Sequence, residues 1–264
     1  MLVDQWAAPA AYENYMGRWS RRLAPRFLEM LQAPPGAHWL DVGCGTGALT
    51  EAICAEADPA SVLGCDPSEE YVDYARAHVA DPRARFAVAE AAALPEREGG
   101  YDCISSLLAL NFFPEPQEAL WRMAELMAGP KAQVSACVWD YGDQTQMLDY
   151  FWRAAVAVDH RAREHSEARR FTMCRPAALE RLFREAGLQR VRVKPVWLRT
   201  VFTGFEDYWQ PMLNGVGPIP SYLATLDEEQ RDELARRLQQ SLPGGPYGRI
   251  SLMSRAWSVR GWGR

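Results

Sequence analysis

Lysine is nearly missing from this chain of 264 residues: Lys131 and Lys194 are the only two, and arginine supplies the rest of its 29 basic side chains. Against 34 acidic residues the net charge is −5, so no broad cationic surface marks nucleic acid as a partner. A local excess between Arg153 and Arg190, nine arginines to five acids, reads first as a solvated helix face, with an anionic partner as the alternative. Long apolar runs are also missing. The longest, residues 104–113, is interrupted by two serines and stopped by Pro114, too short to span a bilayer. The first residues carry an acid at Asp4 and no apolar stretch, which speaks against a secretory signal and for a cytoplasmic location. The six cysteines, Cys44, Cys54, Cys65, Cys103, Cys137 and Cys174, form neither a CxxC pair nor a zinc spacing. Reduced structural thiols are expected, and no metal site. Histidine is scarce, and His38, His78, His160 and His165 each read as surface residues rather than catalytic bases.

What is present describes a globular protein. Hydrophobic residues make up 48% and charged residues 24%, which excludes disordered, collagenous and fibrous chains. Between residues 37 and 139, short apolar segments at 38–42, 61–65, 85–89, 101–106 and 132–138 alternate with stretches of helical spacing. Continuous rather than alternating apolar strands belong to a sheet buried on both faces, and repeated βα units make it parallel and doubly wound. Ser68 reads as a helix N-cap, and Gly129-Pro130 as a stop for a helix over 117–128. Beyond 140 the pattern changes. Residues 141–175 and 203–249 look helical, the second with an Asp227/Gln230 capping box, while 176–202 and 250–264 resume the helix-and-strand pattern. One α/β domain with two helical insertions is expected, preceded by N-terminal helices over 1–36, with the core at 37–140.

The informative stretch is residues 39–50, WLDVGCGTGALT: an apolar strand, a glycine turn, then a helix. Glycines at 43, 45 and 47 permit positive φ and close approach of a ligand, and such a turn lies at the carboxyl edge of a parallel sheet, where ligands bind. The same residues loosely satisfy a dinucleotide fingerprint, Gly43-x-Gly45-x-x-Ala48. Asp41 separates the two readings. A pyrophosphate there would meet a like charge, whereas a ligand carrying an ammonium and a sulfonium would gain from it. Asp66, at the end of the next strand, suits a carboxylate accepting from ribose hydroxyls, and equally a helix cap.

These residues, with GCDPS at 64–68, AVAEAAALP at 87–95 and YDCISSLLALNFFPEP at 101–116, resemble the class I S-adenosylmethionine-dependent methyltransferases. The small-molecule branch, similar to ubiquinone and menaquinone biosynthesis methyltransferases, is the nearest in pattern. The resemblance implies a Rossmann-like, seven-stranded sheet of order 3-2-1-4-5-7-6 with the last strand antiparallel, and insertions that form a substrate lid. It implies S-adenosylmethionine as cofactor, S-adenosylhomocysteine as product, and in-line methyl transfer to a small, hydrophobic or aromatic acceptor. Carried over by position, Asp41, Gly43, Cys44 and Gly45 meet the methionine part, with Leu107 and Asn111 after the fourth strand. Asp66 takes the ribose, Pro67 faces the adenine, and Glu90 with Ala91 reads the adenine edge. Asn111 and Phe112 stand where many relatives have histidines, which removes a candidate base. Tyr15 and Arg18 precede the first strand, where similar segments fold over the cofactor; an amphipathic helix packed on the sheet is the alternative.

Asp140, at the carboxyl edge after the fifth strand, is the candidate substrate-contacting acid, with a helix N-cap as the alternative. Trp139, Tyr141, Phe151, Trp152 and Trp209 are candidate substrate-lining residues, or simply the glue of the insertions. A monomer or homodimer is expected. The competing functions are a cofactor-binding regulator without turnover, nicotinamide-dependent oxidoreduction, and methylation of protein or nucleic acid.

Overall fold

The computed structural model describes residues 8–142 and 144–264; the expectations placed on Asp4 and on the first seven residues of the 1–36 segment lie outside it. Nine α-helices of six residues or more are described, α1 (Arg18–Leu31), α2 (Ala48–Glu56), α3 (Glu69–His78), α4 (Pro116–Glu125), α5 (Gln146–Val158), α6 (Pro176–Glu185), α7 (Phe205–Asn214), α8 (Pro218–Leu223) and α9 (Glu228–Ser241). Seven strands accompany them: β1 (His38–Val42), β2 (Ser61–Asp66), β3 (Ala84–Val88), β4 (Cys103–Leu107), β5 (Gln133–Trp139), β6 (Gln189–Phe202) and β7 (Ile250–Trp262). They form one sheet of order β3-β2-β1-β4-β5-β7-β6, with β7 antiparallel to both neighbours. This is the expected topology. The described residues divide into two compact units, the larger comprising 17–138, 173–196 and 256–264, the smaller 8–16, 139–172 and 197–255.

In the larger unit every residue of β4 is buried, which is why its sequence is an unbroken apolar and small-residue run rather than an alternation. β1 lies at the centre, parallel to β2 and to β4, with Asp41 opposite Gly64 on one side and Ser105 on the other. β2 is parallel to β3 in turn, pairing Asp66 with Val88. In-register parallel strands end together, so the glycine turn after Val42, the acid Asp66, the segment after Val88 and Leu107 all arrive at one edge. Strand order reverses between β1 and β4, where an open α/β sheet forms its binding crevice.

Two boundaries differ from the sequence expectation for one reason. α4 ends at Glu125 rather than 128, and β4 begins at Cys103 rather than 101. Tyr101 donates its N–H to the Leu126 carbonyl at 2.8 Å and accepts from Ala128 N–H at 2.9 Å, forming a parallel bridge with Met127. Bridge hydrogen bonds replace the last helical turn. Ser68 does cap α3, accepting from Tyr71 N–H at 3.4 Å.

α1 buries Leu23, Ala24, Phe27, Leu28 and Leu31 along one face. It ends at Gln32, in the left-handed region at φ 48°. Its terminal carbonyl, on Leu31, accepts from Arg260 Nη1 at 2.5 Å and from Gln133 Nε2 at 3.4 Å. A cation at a helix C-terminus complements the orphan carbonyls and the helix dipole.

The smaller unit is held by aromatics. Phe151 meets Trp152 edge-on at 5.1 Å and Tyr222 at 6.2 Å between ring centroids. Tyr208 donates its hydroxyl to the Met147 carbonyl at 2.5 Å. α9 carries the expected capping box: Asp227 accepts from Gln230 N–H at 2.8 Å, and Gln230 Oε1 accepts from Asp227 N–H at 3.1 Å.

Replacing Arg260 with Met keeps the buried stem and removes the charged donor. Urea unfolding should show a loss of about 1.5–3 kcal/mol, the range for a hydrogen bond from a charged group, with adenosyl-ligand affinity unchanged.

A candidate cofactor site at the carboxyl edge of the sheet

The turn between β1 and α2 is strapped to β2. Gly43 and Cys44 both donate their N–H groups to the Cys65 carbonyl, at 2.8 and 2.9 Å. Gly45 donates to Asp66 Oδ2 at 2.9 Å. Three N–H groups that would face a pyrophosphate in a dinucleotide loop are thus spent inside the fold, which argues against that reading beside the charge of Asp41.

The three glycines are required for three different reasons. All have positive φ, at +72°, +52° and +86° for Gly43, Gly45 and Gly47. A Cβ on Gly43 would stand 2.5 Å from Ala109 Cβ, so this glycine lets the segment after β4 close on the turn. A Cβ on Gly47 would stand 2.8 Å from Val79, so this one seats α2 against the end of α3. At Gly45 the nearest atom would be Tyr71 Cδ1 at 3.8 Å. That side of the turn is open. Packing requires a glycine at 43 and 47, whereas at 45 a Cβ would meet only an ordinary contact.

Asp41 is fully buried. Its Oδ2 accepts from Thr50 Oγ1 at 2.7 Å, while Oδ1 is buried with no hydrogen-bond partner. Burial pushes its carboxyl up to about 7; the Thr50 hydroxyl opposes this and the Asp66 charge adds to it. Asp66 is held rigidly, Oδ2 by Gly45 N–H and Oδ1 by Ser68 N–H at 3.0 Å. Each of its oxygens keeps a lone pair for a further donor. Burial raises this carboxyl too, the two N–H groups lower it, and Glu90 raises it. Glu90 itself is exposed just beyond β3, followed by Ala91. Three carboxylates thus line the ends of β1, β2 and β3.

After β4, Leu108 takes a left-handed φ of 59°, a conformation that costs a non-glycine residue ~1–2 kcal/mol. Asn111 follows in the single turn Leu110–Phe112, buried, with both amide atoms lacking partners. Thr46 Oγ1, in the turn itself, is likewise buried and unpartnered. Cys44 is buried, and burial raises its thiol far above the ordinary value, with Asp41 next. It is a packing residue, not a nucleophile. Arg18, on α1, lies over the Trp19 ring at 4.6 Å.

The remaining candidates belong to the smaller unit. Tyr15 is buried there; desolvation, then Glu167 and Tyr208, raise its phenol, and its ring lies against Gly215. Asp140 is buried and accepts from Arg255 Nε at 2.7 Å and from Gly142 N–H at 3.0 Å. α5 starts only at Gln146, after the N-cap position Thr145, so the N-cap alternative for Asp140 is replaced by an Asx-type turn and an ion pair. Trp139, Phe151, Trp152 and Trp209 are all buried, and Tyr141 lies 5.5 Å from Phe171 between ring centroids. Thr50 and Arg255 escaped the sequence reading. Thr50 meets Asp41 only through the strand-turn-helix geometry, and Arg255 lies 115 residues from its partner.

Since Asp41 keeps its proton to about 7 when folded but has an ordinary value of 3.8, its contribution to stability is present below about pH 4. It is lost as pH rises to about 7. Asp41→Asn should therefore gain thermal stability relative to the parent between pH 5 and 7, with a constant gap above, by scanning calorimetry.

Residues 40–129 match a family described as a methyltransferase domain. A trans-aconitate 2-methyltransferase of Variovorax paradoxus is 30% identical over 46% of this chain and 45% of its own. A ubiquinone biosynthesis O-methyltransferase of Burkholderia pseudomallei is 29% identical over 61% of this chain and 68% of its own. The chain thus spans less than half the length of the first of these. Among solved structures, a phosphoethanolamine N-methyltransferase of Haemonchus contortus with S-adenosyl-L-methionine has a TM-score of 0.59 at 15% identity, covering 97% of this chain and 57% of that one. A [4+2]-cyclase has a TM-score of 0.53 at 15% identity, covering 92% of this chain and 80% of that one, so the fold alone does not fix a reaction. Over residues 40–129 the chain is thus similar to a methyltransferase domain, and its sheet order is that of the methyltransferase fold.

Proposed function

We propose that this protein transfers the methyl group of S-adenosylmethionine to a small-molecule acceptor and releases S-adenosylhomocysteine. The observation that carries this reading is the pairing of an open Gly45 with an Asp66 whose two oxygens are each pinned by one backbone N–H. Such a carboxylate has its orientation fixed before any ligand arrives, and its remaining lone pairs suit the two ribose hydroxyls. The unpartnered Oδ1 of Asp41 fits a cationic amino-acid portion and offers a phosphate no counter-charge. Glu90 would accept from the adenine amino group, with Ala91 N–H beside it and Pro67 against the ring. Gly43, Cys44, Leu107 and Asn111 would border the methionine part, and Arg18 would meet its carboxylate.

When bound, the cofactor supplies a methyl group on a sulfonium, already activated for displacement. The protein's part is to hold the acceptor atom in line at roughly 3 Å, an alignment that can supply ~7–11 kcal/mol. A dry pocket also avoids over-stabilising the cation that is discharged. Asp140 is paired with Arg255, and its role here is to hold the chain after β5. The names of the relatives, one for trans-aconitate and one for ubiquinone biosynthesis, support a small-molecule acceptor.

Asp66→Ala should weaken S-adenosylmethionine binding more than tenfold in calorimetric titration while leaving the thermal midpoint within a few degrees. Unchanged affinity would remove the ribose assignment. Transfer of a labelled methyl group to members of a phenol and carboxylic-acid panel by the parent protein tests turnover.

A further inference from the structure

Asp41 has more to it than a place in the cofactor site. Its carboxyl is fully buried on the central strand, one oxygen satisfied by Thr50 and the other without a partner. The titratable and charged groups packed around it are nearly all acidic or neutral. From β2 come Cys65 and Asp66, from the turn Cys44, and from beyond β3 Glu90, which acts on Asp66. From β4 the register partner Ser105 is engaged with Ser135 at 2.7 Å. α2 presents Thr50, and its Glu51 is paired with Arg21 of α1, whose Nη2 also lies 3.4 Å from the Thr46 carbonyl. Arg21 is thus committed to Glu51, and the anion beside Asp41 is Asp66.

A buried carboxylate whose neighbours are carboxylates neutralises itself by holding a proton. We infer that Asp41 is a proton-exchange site: protonated in the ligand-free protein, it releases that proton to solvent when a ligand brings an ammonium to its unpartnered oxygen. The neutral carboxyl becomes a carboxylate, the proton goes to buffer, and the charge left behind is balanced by the ligand's own cation. Asp41 then selects adenosyl ligands that carry an amino-acid portion over those that do not, and capture of the cofactor is coupled to pH. This rests on the methyltransferase reading above and extends it.

The test is titration calorimetry of the full chain with S-adenosylhomocysteine at pH 6.5, in phosphate and in imidazole, buffers of different ionisation enthalpy. With a carboxyl that titrates at about 7, about three-quarters of a proton should be released per ligand at that pH, and affinity should fall about tenfold from pH 8 to pH 6. 5′-Methylthioadenosine, which has the adenosine and the sulfur but no ammonium, should bind without proton release. In Asp41→Asn the release and the pH dependence should both vanish. Thr50→Val, which removes the hydroxyl that favours the charged form, should move the pH dependence upward without abolishing binding. Enthalpies identical in the two buffers for the parent would overturn the inference, as would equal release with 5′-methylthioadenosine. No binding of S-adenosylhomocysteine by the parent at any pH would instead overturn the methyltransferase reading.

Discussion

The Cys65 carbonyl accepting from two successive N–H groups, on Gly43 and Cys44, is the contact on which the site depends. It ties the turn after one strand to the end of the next, so the turn has no freedom to swing toward or away from a ligand. From it follow the left-handed glycines, the reach of Gly45 N–H to Asp66, and the closure of Ala109 over Gly43. The parallel pairing of β1 with β2 brings these groups together, and the crossover through α2 returns the chain at the right height. On the function proposed above, the ligand meets an edge whose turn is already tied down by backbone hydrogen bonds.

The charge on that edge is unusual for a nucleotide-like ligand. Asp41, Asp66 and Glu90 stand at the ends of three adjacent strands, and each of the first two feels another acid. Such a row repels phosphate and favours cations and hydroxyl donors. Burial raises the two carboxyl groups nearest the interior, and the neighbouring acids add to it.

Much of this was legible in the residues. The strands over 37–139 could be read because burial on both faces leaves runs without alternation, and β1 falls where the sequence places it, His38–Val42. Glycine spacing located the turn, and Asp66 falls at the end of β2 beside it as the sequence places it. Less legible was why each glycine is there: Gly43 and Gly47 answer to Ala109 and Val79, side chains tens of residues away whose approach no local pattern announces. The same holds for Thr50 against Asp41 and Arg255 against Asp140, partnerships made by topology. The aromatics after residue 140 showed the opposite difficulty. Their number suggested a binding surface, yet Phe151, Trp152 and Tyr222 pack on one another, because an irregular helical segment with few long apolar faces needs large rings to fill its interior.

Arg260 carries a consequence for how this chain is made. The carbonyl that it satisfies belongs to Leu31, 229 residues earlier, and the unit containing both is assembled from three separated stretches of sequence. On the ribosome, α1 and the first five strands emerge long before the last segment that closes them. Until residue 260 is free, the helix end lacks its cation and β5 lacks its antiparallel neighbour. The larger unit is therefore completed only once residues 256–264 have emerged, and its nascent form presents an open sheet edge for as long as the intervening residues take to be translated.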